Sequence, residues 1–242
     1  MRVDIKNIQR LYKIKNSVYN ALKIDYLYNS NKLEGSTFSK DNLIDLLEQK
    51  QVVGKHFFDD VIETKNSLEL FDFVISSLSD PFDKYLLWEW HRLLKKGTVD
   101  DEIDNIGKWK KYSNRLSKTD LKLCEPHLVE NSMFNLLEDW KESSKDIFAI
   151  ADFHQKFEHI HPFQDGNGRI GRFVILRQCL ENNIDLIAID DVYNNEYRKS
   201  LYEAQTTENL KPLVDVFKKC QNRLDEKLSE FKGTIEQVSN EN

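Results

Sequence analysis

The chain has 242 residues, of which 31% are charged, and carries a formal net charge of −6. That balance gives no broad electrostatic pull toward nucleic acid, no apolar run approaches the ~20 residues that span a bilayer, and the opening MRVDIKNIQR does not read as a signal peptide. A cytoplasmic protein is expected, and the widely spaced Cys124, Cys179 and Cys220, with no CxxC pair, suit a reducing compartment and argue against a zinc site.

The predicted elements are helical nearly throughout, an all-α chain with one exception. Residues 4–29 read as a helix, with Ile5, Ile8, Leu11 and Tyr12 as a first stripe that continues more weakly through Val18, Leu22 and Leu27. Ser30-Asn31-Lys32-Leu33-Glu34-Gly35 follows, with Gly35 placed as a helix stop. Glu34 is then an acid at a helix C-terminus, where the dipole disfavours it, and the misfit hints at another duty. Ser39 is placed to cap a helix over 40–49 that turns Leu43, Ile44, Leu46 and Leu47 inward. A longer helix is expected over 57–78. Ser79-Asp80-Pro81 predicts the start of the next, with Pro81 at its first position and Gly97 at its end. Trp88 and Trp90 within it read as core.

From 98 to 124 the helical pattern lapses. Gly107-Lys108-Trp109-Lys110-Lys111-Tyr112 alternates aromatic with basic residues ahead of the polar Ser113-Asn114-Arg115, as a short β-hairpin would, an ordinary surface loop being the plain alternative. Pro126 opens a helix to about Trp140. Ile147, Ile150, Ala151, His154 and Phe157 then fall at helical spacing in a helix that should end at His161, because Pro162 disfavours the helical conformation in the residue before it. Ile170, Phe173, Val174, Ile175, Leu176, Cys179 and Leu180 cover nearly every side of the following helix, the mark of a buried central one. Asn194 to Tyr197 starts a further helix. Residues 209–231 form a charged amphipathic one, interrupted near Pro212, and the tail to Asn242 is expected to fray.

Between the two central helices lies QDGNG. Gly166 and Gly168 permit unusual backbone conformations and close approach of a ligand, and a glycine-rich turn feeding a helix N-terminus presents free N–H groups and the positive end of the dipole to an anion. Arg169 and Arg172, three residues apart, are expected to face that same anion. His161 can exchange a proton near neutral pH, and Asp165 is a hard oxygen ligand of the kind Mg²⁺ accepts when it also holds phosphates. A metal set from His154, His159 and His161 is disfavoured, since two of them sit on different sides of one helix.

His161-Pro162-Phe163-Gln164-Asp165-Gly166-Asn167-Gly168-Arg169-Ile170-Gly171-Arg172 resembles the full signature of the Fic family of protein adenylyltransferases. The resemblance implies a Fic-type helical domain with a β-hairpin flap over the active site, using ATP and Mg²⁺ or Mn²⁺. It implies that His161 deprotonates a target hydroxyl that attacks the α-phosphate, and that Asp165 holds the metal. Gly166, Asn167 and Gly168 would hold the α- and β-phosphates, and Arg169 and Arg172 the β- and γ-phosphates. The related Doc-type kinases carry lysine where this chain has Gly168, which favours AMP transfer over phosphate transfer. Ser30, Glu34 and Gly35 resemble the family's inhibitory motif, in which Glu34 would pair with Arg172 and take the place of the γ-phosphate. The chain then divides into an N-terminal inhibitory segment, 1–36, and a catalytic domain, 37–242.

By the same resemblance Tyr197 and Leu201 match positions lining an adenine pocket, with core packing the equal alternative. The stretch Lys108, Trp109, Lys110, Lys111 and Tyr112 would lie in the flap that docks the target. The implied partner is a protein bearing a Ser, Thr or Tyr hydroxyl, the chain itself or a homo-oligomer included, with no nucleic acid and no membrane. Two other functions stay open: removal of AMP at the same site, with Glu34 positioning water, and a partner-binding module that keeps nucleotide only for stability.

Overall fold

The structure is a computed structural model and describes residues 5–231 except 13, 15, 16, 117 and 118. Its described residues form α1 (Ile5–Arg10), α2 (Val18–Leu33), α3 (Lys40–Glu48), α4 (Phe58–Ser76), α5 (Lys84–Lys95), a single turn α6 (Val99–Glu102), α7 (Val129–Glu142), α8 (Ile147–Ile160), α9 (Asn167–Glu181), α10 (Asn194–Thr207) and α11 (Lys211–Lys227). None is long and apolar enough to cross a membrane. The expected fraying after residue 231 lies outside the described residues.

Local chemistry explains most boundaries. Ser39 caps α3 by accepting from Asn42 N at 3.1 Å, and Asp146 caps α8 by accepting from Ala149 N at 2.8 Å. The stop at Gly97 holds, its φ of +81° lying in the left-handed region. Three expectations are corrected. The helix read over 4–29 is two among the described residues, α1 ending at Arg10 and α2 starting after Ser17, which is extended and whose hydroxyl donates to Ile14 O at 2.7 Å. α5 starts at Lys84 instead of Pro81, because the Asp83 carboxylate accepts from the N–H groups of Tyr85 and Leu86 at 2.9 and 3.0 Å and fixes the N-terminus there. Pro212 opens α11 within its first turn, where no hydrogen bond is lost, and so interrupts nothing.

The fourth correction concerns the hairpin: no strand occurs among the described residues of 98–125. The alternation there has another cause. Trp109 packs against Trp88 and Phe163, with ring centroids 5.4 and 5.2 Å away. Lys110 turns inward, 3% exposed, and its ammonium donates to Ile160 O and Asn114 Oδ1. Its backbone N–H goes to Pro162 O at 2.8 Å, not to a second strand. The segment therefore lies along the loop after α8 as irregular backbone.

α9 is the central helix, as its apolar pattern requires: all its residues but Gly168 and Glu181 are buried, and α2, α4, α5 and α8 pack around it. α2 is also largely buried but is rich in polar residues, several of them matched by partners from distant elements. Lys23 reaches Asp72 of α4 at 2.7 Å, Asn29 Oδ1 accepts from Asp191 N at 3.1 Å, and Asp25 accepts from Lys227 of α11 at 2.8 Å. Cys179 and Cys220 are free thiols inside the core.

Candidate active site

The C-terminal end of α8 and the N-terminal end of α9 meet across residues 161–166. His161 caps α8 in the left-handed conformation (φ 50°, ψ 61°), which turns the chain sharply out of the helix into Pro162. Burial, and then the Lys110 ammonium, push its pKa down to about 4, so the imidazole is neutral at pH 7 and able to take a proton.

Asn167 shapes the loop. Its side chain accepts from Phe163 N and donates to Phe163 O, both at 2.8 Å and fully buried, so its polar atoms are spent on the loop backbone instead of facing outward. Asn167→Ala would orphan the Phe163 N–H and leave Phe163 O with Asn114 Nδ2 at 3.2 Å, and is expected to lower stability by about 1–3 kcal/mol. Thermal denaturation measures this, and an unchanged Tm would mean the loop finds other partners.

Asp165 stands at the rim, its side chain 57% exposed, with Lys95 Nζ at 2.6 Å from Oδ2. Partial burial raises its pKa, but Lys95 and Arg169 outweigh this and bring the carboxyl down to about 2. An ionised, accessible oxygen pair fits Mg²⁺ or Mn²⁺, which take one or two carboxylates and complete their shell with phosphate oxygens and water. Gly166 follows at φ 78° and is the N-cap of α9, the end of a helix that carries free N–H groups and the positive end of the dipole.

The two arginines do not share one partner. Arg169, 6% exposed, pairs with Glu63 of α4 and stands 3.7 Å from Asp165. Arg172, 3% exposed, donates from Nε to Ser30 Oγ at 2.8 Å, and from Nη2 to Ser30 O at 2.9 Å and to Glu34 Oε1 at 2.6 Å. Each arginine thus holds a carboxylate of its own, in two separate ion pairs. Glu34 ends α2, Gly35 follows at φ 88°, and a methyl group built on Gly168 would collide with Glu34 Oε1, so carboxylate and glycine are in contact. Burial raises the Glu34 pKa, but Arg172 and Arg169 together hold it below its ordinary value. A pKa lowered in the folded state makes this pair fully effective above about pH 4.3 and weaker only as acid protonates the carboxylate. Beside Glu34, Glu63, Asp165 and Arg169 opens a polar cavity of about 200 Å³.

Other sequence-derived positions fall as follows. Tyr197 is buried and its hydroxyl meets His154 Nε2 at 2.7 Å, while Leu201 packs half-buried on the core; neither lines that cavity. Lys108 pairs with Asp104 at 2.6 Å, Lys111 is exposed, and Tyr112 is exposed with its N–H donating to Gln164 Oε1 at 3.3 Å.

Sequence reading missed four residues that hold these groups. Glu63 and Lys95 bracket Arg169 and Asp165. Glu158, one turn before His161, is buried against Gly171, and burial pushes its carboxyl up to about 8. His91 stacks on Phe163 at 4.1 Å, accepts from Gly107 N at 3.0 Å and faces Asp165 O at 3.1 Å. A backbone N–H only donates and a carbonyl only accepts, so His91 is neutral with its proton on Nε2, consistent with burial bringing its pKa down to about 4. The one available signal was position: His91 and Lys95 lie on the same side of α5 as Leu87 and Leu94.

A helical domain with a glycine-rich loop between its two central helices is the class this geometry defines, and comparison with known proteins finds likenesses to it. Residues 81–179 match the Fic/DOC family model. A probable protein adenylyltransferase of Aquifex aeolicus is 34% identical over 83 residues, which cover 33% of this chain and only 25% of that protein. Among solved structures, a Fic domain containing signaling protein from Bacteroides thetaiotaomicron superposes with a TM-score of 0.77 at 20% identity, over 98% of this chain and 91% of that one. Fic-1 of C. elegans does so with a TM-score of 0.73 at 20% identity, over 95% and 71%. The all-helical fold is therefore the Fic fold.

Proposed function

We propose that this protein transfers AMP from ATP to a Ser, Thr or Tyr hydroxyl of a protein, and that Glu34 restrains the reaction. The observation that carries the reading is the Glu34 carboxylate seated between Arg172 and Gly168 at the N-terminus of α9, where amides and a buried guanidinium favour an anion. An anionic group of the protein lies where the triphosphate would end. The Aquifex relative's name supports the same class of reaction.

In this reading neutral His161 accepts the proton of the target hydroxyl, whose oxygen forms a bond to the α-phosphorus as the bond to the pyrophosphate oxygen breaks. Asp165 would hold Mg²⁺, which supplies charge neutralisation on the phosphates when bound. Asn167 keeps the loop amides directed at the phosphates. Arg169 and Arg172 neutralise the pyrophosphate once each leaves its present carboxylate. Gly168 offers no side-chain cation of the kind that would hold a nucleotide in another register.

Intact-mass measurement after incubation with ATP tests the proposal: Glu34→Gly should gain AMP on itself or on added target, and a gain of phosphate, or none, would overturn it. The pH profile adds a second check. With His161 depressed to about 4, the base form is complete well below neutrality, and kcat/KM of Glu34→Gly is expected to be flat with respect to this group from about pH 5.5 to 8. An inflection near 6.5 assigned to His161 would contradict the buried, neutral imidazole.

A further inference from the structure

Lys95 is the last residue of α5 and only 3% exposed. Its ammonium meets three carboxylates from three parts of the chain: Asp165 Oδ2 at 2.6 Å, Asp100 Oδ2 at 2.7 Å, and Glu63 Oε1. An ammonium has three protons, so its donors are fully used. Burial alone would lower its pKa, but the carboxylates raise it well above the ordinary value, and the side chain is charged. Among the described residues no group of three His, Cys, Asp or Glu could hold a metal ion as it stands; the three carboxylates that do converge have Lys95 at their centre. The other oxygen of Glu63 holds Arg169, which closes a ring of alternating charge through Asp165.

We infer that Lys95 is a resident counter-ion for Asp165, occupying its carboxylate until a divalent cation arrives with the nucleotide, so that metal binding is an exchange of one cation for another. The inference rests on the reading of Asp165 as the metal ligand given above. Two cations sharing one carboxylate repel each other, so the ammonium must turn aside or weaken the metal. Turning aside is feasible, because Glu63 and Asp100 still accept two of its three protons. The site without nucleotide then carries internal partners for all its charges: Glu34 on Arg172, Glu63 on Arg169, and Lys95 on Asp165. This spares each buried charge the cost of standing alone.

Calorimetric binding of a non-hydrolysable ATP analogue, in the Glu34→Gly background, tests the exchange without reference to turnover. Lys95→Gln is expected to lower the Mn²⁺ concentration that supports half-maximal binding by ~tenfold or more, and to weaken binding of the analogue in EDTA, where the lost cation has no replacement. Lys95→Arg should keep the parent's Mn²⁺ dependence. A Lys95→Gln midpoint that rises, as it would if Lys95 only braced Asp165 in place, overturns the inference, and so does one that stays put. Should that variant fail to fold, the parent decides. The protected ¹⁵N-lysine ammonium signal of Lys95 should change when Mg²⁺ is added with the analogue and not with the analogue alone, and an unaltered signal counts against the exchange. If Glu34→Gly binds no analogue at all, the AMP-transfer reading falls with it; if it binds with a Mn²⁺ dependence indifferent to Lys95, only the exchange falls.

Discussion

His161→Ala, placed in the Glu34→Gly background, is expected to cut AMP transfer by about 10²–10⁴-fold, the usual range for loss of a general base. Binding of ATP should change little, since the phosphates are assigned to the loop amides and to Arg169 and Arg172. A methyl group cannot accept the hydroxyl proton, and the low pKa of the native ring shows that its neutral form dominates throughout the physiological range. Ala at φ 50° also carries backbone strain. His161→Asn is the sharper control, because asparagine tolerates the left-handed region. It should be as inactive as the alanine variant with less loss of thermal stability. Incorporation of label from ATP is the readout, and retention of label at the Glu34→Gly level by either variant would place the base elsewhere.

The second large effect is expected in the opposite direction. Glu34→Gly should raise labelling by about ten- to a hundredfold over the native chain, the range given by ~1.5–3 kcal/mol for a charged hydrogen bond such as the 2.6 Å contact to Arg172. Glu34→Gln keeps the shape and removes the charge, so it should fall between the two. Titration of ATP binding by calorimetry separates the causes: tighter binding is expected in step with the gain in labelling. Equal affinity in the native and Glu34→Gly proteins would mean that the carboxylate does not occupy phosphate space.

How far the sequence could be read follows from the range of each interaction. Helix ends set by a neighbouring side chain or backbone were legible, as at Ser39, Gly97 and His161, because cap and helix lie within a few residues. The start of α5 was misplaced by the same logic applied to the wrong neighbour: Pro81 and Asp83 both suit a helix start, and the cap at Asp83 prevailed. The expected hairpin at 107–115 failed because its alternation records the packing of Trp109 and Lys110 against α8 and its loop, a contact some fifty residues away in sequence. The candidate site was legible as a motif since His161, Asp165 and the arginines are contiguous. Its supports were not: Lys95 reaches Asp165 across 70 positions, Glu63 reaches Arg169 across 106, and no periodicity marks either. Glu34 was flagged by its local misfit at a helix C-terminus, but its partner 138 positions on came only from the motif resemblance and could not be read from that misfit.

The burial of α2 bears on how the proposed restraint by Glu34 would be lifted. The helix that ends in Glu34 is fastened on several sides, to α4 through Lys23 and Asp72, to α11 through Asp25 and Lys227, and by Arg198 donating to Leu33 O in its final turn. Swinging the whole rod outward would strip the molecule's interior and break every one of these ties at once. Outside these ties stand Glu34, whose carboxylate Arg172 holds, and the exposed Gly35. If Glu34 restrains the reaction as proposed, activation is a matter of one carboxylate changing rotamer at the tip of a fixed post.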